Sequence, residues 1–306
     1  MEYKGKITVL AGGIGSERDI SLESGRNVLA WLLEAGANAD LVDVSPENVS
    51  ELSSLATELF MPMLHGEWGE DGQLQKTLED AGLPFAGTGS EASALCFDKQ
   101  HTKDVLISAG LCVPFGAVVV SEADLQQAEQ IIKGHGERFI VKPAAQGSSV
   151  GVEVRVGSFA AVRGAGECLA KYGKTVIEEF VEGREFTVGV VDGVALPAIE
   201  IKPVAGFYDF TSKYISDETG FLFGTVSPAL ETQMQIAALE AFYALGCRDF
   251  SRIDFILRGE EPVILEVNTL PGFTSHSLLP KAAAMTGMSG PELCEKIVNA
   301  ALGRYS

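Results

Sequence analysis

The sequence predicts an open α/β layer at the N-terminus followed by α+β structure. Three observations predict it. Residues 1–95 read as strand, helix, strand, strand, helix. Beyond that point short apolar runs come in pairs around Gly- and Ser-containing turns, the pattern of antiparallel hairpins. Near the C-terminus one long hairpin, SRIDFILRGEEPVILEVNTLPG from Ser251 to Gly272, carries polar residues two apart on each arm.

The elements follow in order. KITVLAGG is a buried-type strand that runs into glycines. ISLESGRNVLAWLLEAG has helical apolar spacing and stops at Gly36. ADLVDV and LFMPMLHG are the next strands, and DGQLQKTLEDAG is a short amphipathic helix ended by Gly82. DKQHTKDVLISAG is a helix and CVPFGAVVV a strand. RFIVKP and GVEVRV are strands joined by a Gly/Ser loop, and KTVIEEFV and REFTVGVVDG are strands around Glu182-Gly183. The long hairpin and a last helix, GPELCEKIVNAAL, complete the chain. Boundaries near 95 and 180 divide it into units 1–95, 96–180 and 181–306.

Composition narrows the function. A chain of 306 residues with 46% apolar content buries a sizeable core, and 34 glycines point to several tight loops. No apolar run approaches the roughly 18–20 residues of a membrane span, and the N-terminus shows no secretory signal. A net charge of −19 disfavours nucleic acid as a partner and requires any phosphate site to be locally basic or to bring a metal. The five cysteines and four histidines are scattered without zinc spacing, as expected of reduced thiols in a cytosolic protein.

Strand side chains two apart share a face, so Arg252 joins Asp254 and Glu266 joins Asn268. A hairpin closing at Leu257 and Val263 around the loop Arg258 to Pro262 sets Asp254 opposite Glu266 and Arg252 opposite Asn268. Opposed Cβ atoms lie about 4.5–5.5 Å apart, where like charges repel. Two such acids need a cation or a shared proton, and all-oxygen ligands suit a hard ion such as magnesium. The plainer alternative is an exposed polar face on an edge hairpin. Glu260 and Glu261 belong to the exposed turn.

Two glycine-rich stretches mislead. GGIGSER lacks the third glycine of a dinucleotide loop, since Arg18 takes that place; it reads as a tight strand-to-helix turn with Ser16 near the cap. Glu17, at the carboxyl end of a strand, would alternatively face a ligand ammonium. YGKT lacks the leading glycine of a Walker loop, because Cys168 stands there. QGSSVGV is either a hairpin turn or a flap whose amides cover phosphate oxygens, with Lys142 just before it.

Taken together and in order, GGIGSERDISLESG, LHGEWGEDGQLQ, DKQHTK, VKPAAQGSSVGV, IEEFVEGREFTV, FYDFTSKY, SRIDF and EVNTLPGFTSHSLLP resemble the D-alanine–D-alanine ligases of the ATP-grasp superfamily. The resemblance spans essentially the whole chain. It implies an ATP-grasp architecture, an N-terminal α/β domain followed by two α+β domains gripping ATP, with two Mg2+ ions for which Mn2+ could substitute. Lys99 and Lys142 correspond to phosphate-contacting lysines. IEEFV would be the hinge beside adenine, lined by Glu178 and Val181, with Glu185 on the ribose. Some members carry lysine where this chain has Glu179. Asp254, Glu266 and Asn268 match the metal ligands.

FYDFTSKY would be a lid whose Lys213 reaches the phosphates and whose Tyr214 meets Ser148 and Glu17. Many members read YDYEAKY there, so Phe210 and Thr211-Ser212 depart from the pattern. Tyr214 favours an amine over a lactate acceptor. Glu17 would pair with the ammonium of the first D-alanine, and His65 would lie near substrate. Ser277 and the Leu278 amide would hold the second D-alanine's carboxylate at a helix start, although Ser277 could simply cap that helix. His276 is read as surface. The implied reaction is ATP-dependent ligation through a D-alanyl phosphate, with Arg252 and the Gly272 amide stabilising the oxyanion. The base for the attacking amine stays open: the Ser148–Tyr214 pair or a phosphate could serve. The alternatives are D-serine or D-lactate as acceptor, an oxidoreductase, or a non-catalytic nucleotide-binding module. A homodimer in the bacterial cytoplasm, supplying cell-wall precursors, is the expected setting.

Overall fold

The computed structural model describes residues 3–202 and 220–305. Lys213, Tyr214 and the whole FYDFTSKY stretch lie outside the described residues.

Three sheets organise the chain. The first is parallel, with strands β1 (Lys6–Gly12), β2 (Asn38–Val44) and β3 (Leu59–Pro62) in the order β2-β1-β3. Helices α1 (Arg18–Glu34) and α2 (Gln73–Asp80) belong to this layer. Ile7 and Val9 enter one core while Leu10 and Phe60 enter another on the opposite face. A sheet covered on both faces has continuous apolar strands, which is why these segments do not alternate.

Helices α3 (Ser90–Phe97) and α4 (Lys99–Ser108) follow. Cys96 and Leu106 pack with Phe255 and Ile264 of the C-terminal sheet, so the expected break near 95 falls inside a helical pair that shares the third unit's core. Asp98 caps α4 by accepting from the Gln100 and His101 amides. Lys174, from the misleading YGKT turn, holds Asp98 at 2.8 Å.

The second sheet is antiparallel. Its strands are β4 (Gly116–Val119), β5 (Arg138–Pro143), β6 (Glu153–Val156) and β7 (Thr175–Glu179), in the order β4-β7-β5-β6. Helices α5 (Leu125–Ile132) and α6 (Ser158–Tyr172) bury Ile132, Ala161 and Ala165 against Phe139, Val141 and Ile177.

The third sheet holds β8 (Arg184–Val191), β9 (Val194–Ala195), β10 (Ile199–Lys202), β11 (Gly220–Leu222), β12 (Phe250–Arg258) and β13 (Glu261–Asn268). The order is β11-β10-β8-β12-β13, with β9 beside β8. Helix α7 (Pro228–Ala244) covers one face, while α8 (Leu278–Met285) and α9 (Gly290–Leu302) lead back to the first sheet, where α9 packs on α1. Among the described residues no helix is long and apolar enough to cross a membrane.

Two local expectations are corrected. KTVIEEFV and REFTVGVVDG do not pair: β7 lies in the second sheet and β8 in the third, so Glu182-Gly183 is a crossing between sheets. The long hairpin closes more tightly than a five-residue loop. Arg258 pairs with Glu261, and Leu257 with Pro262. The register then shifts by one between Asp254 and Phe255, a bulge that leaves Leu265 as the extra residue. The tighter turn and the bulge cancel, so Asp254 still faces Glu266 and Arg252 still faces Asn268.

Candidate active site

Two adjoining cavities lie where the three sheets meet. The larger, about 510 Å3, is lined by Lys142 and Glu178 of the second sheet, by Val181 of the crossing, and by Glu185, Asp254 and Glu266 of the third sheet. Its wall changes sheet at Gly183, where a Cβ would run into the Leu257 carbonyl. Glu178 is 2% exposed, and each of its oxygens meets a lysine: Lys142 Nζ at 2.8 Å and Lys103 Nζ at 3.2 Å. Burial alone pushes this carboxyl up, but the two ammonium groups outweigh it and hold it below the ordinary range. Glu179 accepts from the Phe115 amide and pairs with Arg258 at 3.1 Å. Its charge is balanced locally.

The smaller cavity, about 90 Å3, is lined from the first layer, from α3 and α4, from the QGSSVGV loop and from the end of the long hairpin with the turn after it. Glu17 sits just before α1 and accepts a short hydrogen bond from Ser148 Oγ. Ser148 and Ser149 have φ of 50° and 60°, so two consecutive non-glycine residues take the left-handed region in the QGSSVGV loop. Lys99 Nζ donates to the Gln146 carbonyl at 2.6 Å and holds the start of that loop against α4. Ser277 stands at the start of α8, yet its side chain makes no cap bond. Instead its Oγ accepts from the Thr274 amide at 2.8 Å. Gly272, Ser277 and Leu278 line the same wall, and His276, read from sequence as surface, lines it too.

His65 is buried behind this wall. It contacts Ser24 Oγ at 3.2 Å and the Leu270 carbonyl at 3.1 Å. Burial and nearby Arg252 push the imidazole down to about 4, although the Leu270 carbonyl opposes them, so it is neutral at neutral pH.

The acidic face of the hairpin forms the seam between the cavities. Arg252 clamps Asp254 with two hydrogen bonds, 2.9 and 2.8 Å, and Thr187 Oγ1 donates to Asp254 at 2.6 Å. Glu266 lines both cavities, Asp254 the larger and Asn268 the smaller. Among the described residues no three His, Cys, Asp or Glu side chains converge as a metal site. The oxygen set is two carboxylates and one amide on one face of one hairpin, with Asp254 already oriented by Thr187. That is a hard donor set with room for water and phosphate oxygens, and it fits magnesium.

Three residues that sequence reading passed over belong here. Lys103 lies one turn after Lys99 on α4, a spacing that puts both lysines on one side of the helix. Thr187, two after Glu185 on β8, orients Asp254. Glu70 lines the smaller cavity and accepts from the Gly66 amide at 2.8 Å. Burial, then the neighbouring Glu17 and Glu266, push Glu70 up to about 8, against the pull of the Gly66 amide and Arg252. Gly66 has φ of +69°, and a side chain there would strike Glu17.

Residues 105–299 match the family described as the D-ala D-ala ligase C-terminus. The D-alanine–D-alanine ligase B of Chromobacterium violaceum is 39% identical over 302 residues, covering 98% of each chain. Among solved structures, the D-alanine–D-alanine ligase of Bacillus anthracis complexed with ATP superposes with a TM-score of 0.82 at 28% identity, covering 97% of each chain. The VanG D-Ala:D-Ser ligase of Enterococcus faecalis superposes with a TM-score of 0.85 at 26% identity, over 98% of this chain and 100% of that one.

Proposed function

This chain belongs to the D-alanine–D-alanine ligase family, and from that premise we propose how its two cavities activate one D-alanine and join it to a second. The architecture is ATP-grasp and the activity is that of an ADP-forming ligase. The observation that carries the site reading is the shared wall: Lys99, Gln146, Gly147 and Glu266 line both cavities. A phosphoryl group at the inner end of the larger cavity therefore emerges beside whatever the smaller one holds.

The larger cavity takes ATP between the central unit (96–180) and the C-terminal unit (181–306). Adenine lies at the crossing between sheets, beside Glu178 and Val181; Glu185 meets the ribose, and Lys142 and Lys99 meet phosphates. Asp254, Glu266 and Asn268 would hold Mg2+, or Mn2+ in its place, and the ions would supply charge neutralisation for the phosphate chain. The smaller cavity takes the amino acids. Glu17 pairs with the ammonium of the first D-alanine, and Ser148 fixes that carboxylate's rotamer. The first substrate's carboxylate takes the γ-phosphoryl group as ADP leaves, and the amine of the second attacks the resulting acyl phosphate, losing a proton and expelling inorganic phosphate. Arg252 and the Gly272 amide stabilise the oxyanion, while Ser277 and the Leu278 amide hold the second carboxylate. Neutral His65 shapes the wall without adding charge. The product serves peptidoglycan precursor synthesis in the cytoplasm, and the enzyme works as a homodimer.

The test is phosphate release from ATP with D-alanine, magnesium and the purified protein, with the peptide product identified. L-alanine, D-serine and D-lactate run as parallel acceptors. D-Ala-D-Ala formed only with ATP and magnesium supports this reading. Metal-dependent release with a different product would replace the acceptor and keep the phosphoryl site. Nucleotide binding with no turnover would end the enzyme reading.

A further inference from the structure

Glu178 stands between two lysines from two other elements. Lys142 reaches its Oε2 from β5, and Lys103 reaches its Oε1 from α4. All three side chains are nearly buried, at 3% exposure for Glu178, 10% for Lys142 and 7% for Lys103. Lys142 and Glu178 line the larger cavity, and Lys103 is not among its lining residues. The cluster holds two ammonium groups and one carboxylate, a net charge of +1 directed at a cavity in a strongly acidic protein.

We propose that Lys103 is a positioning residue for nucleotide: it keeps Glu178 compensated when Lys142 turns from Glu178 to the phosphate chain. The inference rests on reading Lys142 as a phosphate lysine. With Lys142 alone, the buried pair would be neutral, and moving its ammonium would strand a carboxylate out of water, which is strongly unfavourable. With Lys103 behind it, Glu178 retains one buried partner throughout and Lys142 is free to exchange. The second lysine turns a locked ion pair into a transferable charge. Lys99, one turn earlier on the same helix, already braces the loop between the cavities, so α4 serves both ends of the nucleotide site.

The test compares Lys142→Met, Lys103→Met and Lys103→Arg with the parent. Calorimetry gives ADP affinity with magnesium and adenosine affinity, and ligand-free melting gives stability. Lys142→Met should weaken ADP, spare adenosine and melt near the parent, because Lys103 still pairs with Glu178. Lys103→Met should weaken ADP about 10-fold, spare adenosine and, because Lys142 still pairs with Glu178 in the ligand-free protein, melt near the parent; Lys103→Arg should recover most of the ADP affinity. Where Lys103→Met does not fold, the double variant with Glu178→Gln removes the carboxylate that Lys142 would otherwise have to leave and should regain the preference for ADP over adenosine. Unchanged ADP affinity in Lys103→Met, equal losses of ADP and adenosine, or a folded double variant without the ADP preference would each overturn the proposal. If Lys142→Met itself leaves ADP affinity intact, it is the phosphate reading of Lys142 that fails.

Discussion

At the scale of single residues, the smaller cavity sets two buried groups against each other. His65 sits near 4 in the folded protein, against about 6.5 in an unfolded chain. The unfolded state therefore takes up the proton first as pH falls, and roughly 3 kcal/mol of stability disappears between about pH 6.5 and 4. Glu70 has the opposite sign. Its folded value of about 8 lies above the ordinary carboxyl range, so the folded state keeps a proton that the unfolded state has lost. Stability declines as pH rises through that window. Glu70→Gln imitates the protonated acid and should flatten the decline between about pH 6 and 8 in ligand-free melting curves. An equally steep decline would show that Glu70 is ionised in the folded site. Glu266 faces Asp254 across the hairpin and borders both cavities. Glu266→Gln keeps shape and hydrogen bonding but removes a hard charge. It should cut magnesium-dependent turnover by at least about 100-fold with an unchanged circular dichroism spectrum, and near-normal turnover would refute its role as a ligand.

At the scale of elements, what the sequence disclosed depended on how local the cause was. Alternation put Arg252 with Asp254 and Glu266 with Asn268, because period two is a property of the strand itself. The opposed pairs came out right although the turn did not: a two-residue closure and a bulge at Leu265 offset each other, and apolar pattern encodes neither. The pairing of β5 with β6 was legible from the Gly/Ser composition of the loop between them. The separation of β7 from β8 was not, since a short connection such as Glu182-Gly183 favours a hairpin by default and only tertiary packing sends the strands to different sheets. Lys103 and Glu70 stayed hidden for the same reason: their partners, Glu178 and Glu17, are distant in sequence and meet them only in the fold. The crossing itself is testable. A Cβ at Gly183 would strike the Leu257 carbonyl, and backbone yields less readily than a side chain. Gly183→Ala should destabilise by about 1–3 kcal/mol in urea titration and, on the proposed assignment of ATP to the larger cavity, whose wall changes sheet at this residue, raise the KM for ATP. A stable variant with an unchanged KM would mean that the crossing tolerates a shift and does not set the cavity wall.

At the scale of the molecule, the two cavities differ in what holds them together. The larger is lined from Lys99 onward, whereas the smaller adds Glu17 and Glu70 from the first layer. The first layer shares a buried core with the third sheet and with α8 and α9, and the last residues of the chain add a polar clasp. Arg304 forms a short ion pair with Asp249, and its other arm donates to the Phe85 carbonyl at 3.0 Å. Asp249, directly before β12, also accepts from the Gly87 amide at 2.6 Å. This buried cluster therefore ties the end of the first layer to the strand that carries Arg252 and Asp254. Burial holds the Asp249 carboxyl above its ordinary value even with Arg304 beside it, so removing the guanidinium leaves a poorly compensated acid. Arg304→Ala should lower stability by about 2–3 kcal/mol. Its kinetic effect should be uneven: the KM for D-alanine rises because Glu17 is no longer held in register with Ser148 and Arg252, while the KM for ATP stays near the parent value. A parallel rise in both constants would mean that the clasp supports the whole grip, and the division of labour between the cavities would have to be abandoned.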